Sequence, residues 1–132
     1  MSTTEVQSKH FTTNDGVRLH YLEAGSGKPL VLIHGWSQCA EEFKHQIAGL
    51  SDRYRVIAID QRGHGDSDKP GFGYRIQRLA KDLQELLVSL DLQDVTVLGH
   101  SMGCSVIWSY WDLFGSDRLA KIVLVDESPL LT

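Results

Sequence analysis

The stretch with the clearest chemical potential is Leu98-Gly99-His100-Ser101-Met102-Gly103. A serine with a glycine two residues to either side is the G-x-S-x-G pattern, and its flanks give that pattern a context. Val95-Thr96-Val97-Leu98 is short, rich in β-branched residues and bounded by Asp94 and Gly99, which reads as a buried parallel strand. After Gly103 no Gly or Pro interrupts the run to Phe114, so a helix can start at Met102. Strand, sharp turn and helix in this order form a nucleophile elbow, with Ser101 strained at its tip. Gly99 and Gly103 are expected to be bare because strand and helix backbones pass there too closely for a Cβ. The helix N-terminus would aim its free amides at negative charge developing beside Ser101. Ser101 is therefore the candidate nucleophile.

The rest of the chain must place that turn. Val6–Thr12 and Val17–Ala24 alternate apolar and polar residues about Asn14-Asp15-Gly16, which predicts a β-hairpin with Gly16 at positive φ. Leu30-Val31-Leu32-Ile33 and Val56-Ile57-Ala58-Ile59 are continuous apolar runs, the mark of strands buried on both faces. Phe43, Ile47 and Leu50 predict a helix over Glu41–Leu50. Tyr74–Leu90 sets Ile76, Leu79, Leu83, Leu86, Leu87 and Leu90 on one face, predicting a surface helix over the sheet. The helix from Met102 to Phe114 is apolar nearly all round and is expected to be central and buried, ending at Gly115. Ile122-Val123-Leu124-Val125 reads as one more buried strand. Strands alternating with helices predict an α/β fold, a mainly parallel sheet of about six strands with an antiparallel N-terminal hairpin and flanking helices.

Composition narrows the function classes. Thirteen basic and seventeen acidic residues give a net charge of −4 with no charged block, which argues against nucleic acid and anionic membranes as partners. No apolar run is long enough to span a bilayer, and Met1–Glu5 lacks the features of a signal peptide. Cys39 and Cys104 form no C-x-x-C or zinc pattern, so they are expected to stay reduced in a cytoplasmic setting. Gly25-Ser26-Gly27-Lys28-Pro29 is not a phosphate-binding loop, because Leu22 and Pro29 stand where Gly and Ser/Thr belong. Neither repeat nor low-complexity linker occurs, so residues 1–132 are expected to form one domain.

Three motifs in order, His34-Gly35-Trp36, Asp60-x-Arg62-Gly63-His64-Gly65-x-Ser67 and Gly99-His100-Ser101-Met102-Gly103, resemble the α/β-hydrolase fold family. The resemblance covers nearly the whole chain, and the branch it resembles most holds cofactor-free haloperoxidases, enol-lactonases and small esterases. It implies Ser101 as nucleophile and the backbone amides of Met102 and Trp36 as oxyanion hole. The implied reaction is acyl transfer on a small ester, lactone or acid, with water or peroxide as second nucleophile and neither cofactor nor metal. Family members continue into a lid, two further strands and a late loop carrying the catalytic histidine. The present sequence resembles the N-terminal half, and no histidine follows Ser101.

Two expectations follow from that gap. The chain alone is expected to be weak or inactive as an acyl-transfer enzyme, and its last strand is expected to be an open edge that pairs in a homodimer or with a complementing C-terminal fragment. A non-catalytic binding or interaction module is the alternative reading. His34, His64 and His100 lie in motif turns, and His10, His20 and His45 on the hairpin or a surface helix, so none stands out as base. Asp126 ends the last strand and is either a triad acid or a turn cap. Asp60, His64, Asp66 and Asp68 could form a metal set, but carboxylates in a glycine-rich turn more commonly hold its amides. Trp36 stands beside the oxyanion site, whereas Trp108, Tyr110 and Trp111 fit core packing better than a substrate pocket.

Overall fold

The structure, a computed structural model, describes residues 5–35, 38–72 and 74–125. Six strands, β1 (Gln7–Thr12), β2 (Arg18–Ala24), β3 (Lys28–Ile33), β4 (Tyr54–Ile59), β5 (Val95–His100) and β6 (Leu119–Val125), form one sheet in the order β1-β2-β4-β3-β5-β6. β4, β3, β5 and β6 are mutually parallel, while the hairpin β1–β2 joins antiparallel through the pairing of β2 with β4. Gly16 takes φ 82° in the hairpin turn, as its sequence context predicts.

Both faces of the central strands are covered, which is why their sequences are apolar without alternation. Val31, Ile33, Ile57, Ile59, Val95 and Val97 face a core shared with α2 (Ile76–Ser89) and α3 (Met102–Phe114). Leu30, Leu32, Val56 and Ala58 face the opposite side, against Phe43 and Ile47. The segment expected as one helix over Glu41–Leu50 is instead a 3₁₀ turn, Ala40–Phe43, followed by α1 (Lys44–Leu50). The pivot is Phe43, which takes φ −96° and ψ 13° and drives its ring into the second core.

Two expectations of burial are corrected. In α3 only Gly103, Val106, Ile107 and Tyr110 are buried; Trp108 is 56% and Trp111 47% exposed, and Leu113 is also exposed. Only one stripe of a helix can lie on a sheet, and among the described residues no element packs on the outer stripe of α3. β6 is not the buried strand its apolar run suggests but, among the described residues, the open edge expected from the resemblance: its inner edge pairs with β5, while Val123, Leu124 and Val125 are open to solvent.

α2 carries a polar exception on its apolar face, the buried Asp82. Its carboxylate accepts from Arg62 Nε at 2.7 Å and Nη2 at 2.8 Å. The wholly buried guanidinium also donates to both Asp15 oxygens, at 3.0 and 3.1 Å, and Arg78 adds a second cation to Asp82. Burial alone would pull the Arg62 pKa down; its hydrogen bonds to Asp82 and Asp15 outweigh that and hold it above its ordinary value. Burial pushes Asp82 up despite both arginines, while the hydrogen bond from Arg62 brings Asp15 down to about 2. This cluster ties the loop after β4 to the hairpin and to α2.

Candidate active site

The site is built on the turn between β5 and α3. Ser101 stands there with φ 57° and ψ −116°, a combination few non-glycine residues adopt, and its side chain is exposed. Such strain persists only where neighbours enforce it, and three do. The Ser101 amide donates to Val125 O at 3.1 Å, its carbonyl accepts from the Cys104 amide at 2.9 Å, and Gly35 packs against its side chain. A Cβ on Gly35 would lie 3.0 Å from the Ser101 Cβ, so only glycine lets the turn after β3 come this close.

Gly99 is bare for the reason its sequence suggests: a Cβ there would meet the Gly103 carbonyl carbon at 2.7 Å. Gly103 is bare for a different reason. A Cβ there would stand 2.3 Å from the Ile33 carbonyl oxygen, so the approach that bars one at Gly103 is that of α3 to β3. This contact lets the first turn of α3 descend beside the end of β3. The leading amides of α3, Met102 among them, precede the helical hydrogen-bond ladder and lie beside Ser101. Trp36, Asp126 and the chain from 126 onward lie outside the described residues.

The histidines have other employment. His34 is wholly buried: its Nδ1 donates to Gly35 O at 2.6 Å and its Nε2 accepts from the Gln61 amide at 3.0 Å. Burial, with the His64 ring 5.0 Å away, brings its pKa down to about 4, so the ring is a neutral strut between the turns after β3 and β4. His64 Nδ1 lies 3.0 Å from Arg62 O. His100 Nδ1 lies 3.0 Å from Glu42 Oε2. That pair lines a cavity of about 380 Å³ beside the elbow, with Phe43, Leu98 and Val125 as its apolar wall.

The Asp-x-Arg-Gly-His-Gly loop braces rather than reacts with Ser101. Asp60 Oδ1 accepts from the Ala40 amide at 2.7 Å and Oδ2 from the Asp66 amide at 2.9 Å, while Asp68 accepts from the Arg18 amide at 2.8 Å. The grouping considered from sequence, Asp60, His64, Asp66 and Asp68, is not the one assembled. His20 joins Asp60 and Asp66 with ligand-type atoms within 4.8 Å of one another, but the Asp60 oxygens are already committed to N–H donors. Sequence reading placed His20 on the hairpin but missed its partners: pairing of β1 with β2 brings Ser8 to it, and pairing of β2 with β4 brings it to Asp60. It also missed the Arg62–Asp82 tie, for which a charged residue on the apolar face of α2 was the available sign.

A strained serine thus stands between a parallel strand and a helix, beside a glycine turn from a neighbouring strand. The chain belongs to the α/β-hydrolase fold family, whose model matches residues 28–131. It is 42% identical over 119 residues to the non-heme chloroperoxidase CPO-A1 of Kitasatospora aureofaciens, covering 89% of this chain and 43% of that protein. It is 39% identical over 127 residues to a soluble epoxide hydrolase of Corynebacterium sp. (strain C12), covering 96% and 44% respectively. The solved structure of an esterase from Exiguobacterium antarcticum superimposes with a TM-score of 0.87, at 34% identity, over 89% of this chain and 44% of that one. The chain thus spans less than half the length of these relatives. No helix among the described residues is long and apolar enough to cross a membrane.

Proposed function

We propose that this chain carries the nucleophile half of a serine-hydrolase centre. Ser101 attacks the acyl carbon of a small ester or lactone, and the amides of Met102 and Trp36 receive the oxyanion. The observation that carries the reading is the strained, exposed Ser101 at the head of α3 with Gly35 packed against it. Relatives are named for peroxidase, epoxide hydrolase and esterase activities, and the residue type at the elbow favours the acyl reaction. A serine that opened an epoxide would be left as an ether, which water does not cleave. An acyl-serine is an ester, which water does cleave, and peroxide attack on the same intermediate gives a peracid.

The reading assigns the general base to structure outside the described residues: the rings of His20, His34, His64 and His100 are engaged with other partners, and His10 and His45 lie on β1 and α1 rather than on the turn that carries Ser101. Without it, turnover falls by several powers of ten even where an oxyanion hole survives. The open edge of β6 offers the place where further structure joins, with Val123 and Val125 exposed on it. A second copy of this chain or a C-terminal segment pairing there would cover the edge and bring more residues to the elbow. A neutral fluorophosphonate should label Ser101 slowly, and p-nitrophenyl ester turnover should be weak. With the adduct read at Ser101 itself by peptide mass spectrometry, a Ser101 peptide that stays unmodified would refute the nucleophile, and ligand binding with no adduct at Ser101 would favour the binding-module reading.

A further inference from the structure

On the opposite side of the molecule's hairpin, a second serine has the partners a nucleophile needs. Ser8 on β1 and His20 on β2 are diagonal neighbours, since Ser8 pairs with Leu22 and His10 with His20. Ser8 Oγ lies 2.5 Å from His20 Nε2, and His20 Nδ1 lies 2.7 Å from Asp60 Oδ2. His20 and Asp60 are buried, whereas Ser8 sits on the outer strand of the sheet and is exposed. The Asp60 carboxylate can only accept, so the proton of a neutral His20 belongs on Nδ1 and Nε2 is left bare toward Ser8.

We propose that Ser8, His20 and Asp60 form a second nucleophilic serine centre, one that takes small neutral or cationic carbonyl or phosphonyl electrophiles. The three residues line a cavity of about 340 Å³ whose wall also includes Leu22, Glu41 and Asp66. The two added carboxylates turn anionic substrates away. In the reaction, Ser8 Oγ forms a bond to the electrophilic carbon or phosphorus as its proton passes to His20 Nε2. The bond to the leaving group breaks, and that group departs with the electron pair and takes the proton from His20. Asp60 is a positioning residue: it fixes the tautomer and is itself held by the Ala40 and Asp66 amides. The inference does not rest on Ser101.

The test is a fluorophosphonate reaction with the intact protein, in which peptide mass spectrometry reads the adduct at each serine separately. Ser26 in the loop after β2 is the unactivated internal reference, being also exposed but outside this cavity. A positioned general base gives on the order of a 100-fold advantage, so Ser8 should label about 100 times faster than Ser26. His20→Gln should remove that advantage while leaving the rate at Ser101 unchanged. Asp60→Asn, whose amide would donate to Nδ1 and force the proton onto Nε2, should silence Ser8 selectively. Labelling of Ser8 no faster than Ser26, or an advantage that survives His20→Gln, would overturn the proposal. Failure at Ser101 alone would count against the elbow reading and not against this one.

Discussion

Lowering the pH should destabilise this protein through one buried imidazole. His34 is wholly buried and its two ring nitrogens serve one donor and one acceptor bond, so a second proton would have no partner and would cost the Gln61 hydrogen bond. Burial, reinforced by the His64 ring, lowers its pKa from 6.5 to about 4. The unfolded chain takes up the proton near 6.5, whereas the folded one resists until about 4. In that window the unfolded state binds more protons, so stability rises with pH and is lost as pH falls. At about 1.4 kcal/mol for each tenfold change in proton affinity, the full window is worth ~3.5 kcal/mol. For a chain of this size that corresponds to a fall in Tm of about 10 °C. Thermal melts by circular dichroism, in buffers from pH 7.5 to pH 4, would show it. His34→Gln keeps an acceptor for Gln61 but takes up no proton. It should start less stable at pH 7.5 and then stay flatter across the window. A wild-type Tm that does not move, or an equal slope in the variant, would refute the reasoning.

Three further outcomes follow from the packing. Gly103→Val should lose about 2 kcal/mol or more in urea titration, because even its Cβ would stand 2.3 Å from the Ile33 carbonyl oxygen; an unchanged midpoint would mean the turn is loose. Asp82→Ala should cost about 3–5 kcal/mol by leaving the buried Arg62 with Asp15 alone, and a variant as stable as wild type would show the cluster to be dispensable. Val123→Lys on the β6 edge should reduce self-association, or binding of a complementing segment, in analytical ultracentrifugation. The same change at exposed Gln77 should have no effect, and a monodisperse wild-type monomer at micromolar concentration would remove the homodimer reading.

Local rules determined much of this protein. The hairpin about Asn14-Asp15-Gly16, the apolar runs of β3 and β4, the amphipathic stripe of α2 and the G-x-S-x-G turn each need only neighbouring residues to be recognised, because turn chemistry and periodicity are properties of short segments. The exposed face of α3 was not legible in the same way, and the open edge at β6 was expected from the family resemblance rather than from its own residues, whose apolar run reads as a buried strand. Trp108, Trp111 and Val123 are apolar in any setting, and only the sheet order, which puts β6 at the edge, shows that nothing described packs on them. Gly103 likewise announces a close approach without saying to what, and the answer, the Ile33 carbonyl, belongs to a strand some seventy residues earlier in the chain. The roles of His20, His34, Arg62 and Asp82 were decided by tertiary structure for the same reason. Each is defined by a partner far away in sequence, and burial makes that partner obligatory, because a charge or an imidazole proton taken out of water must be met by a specific group in space.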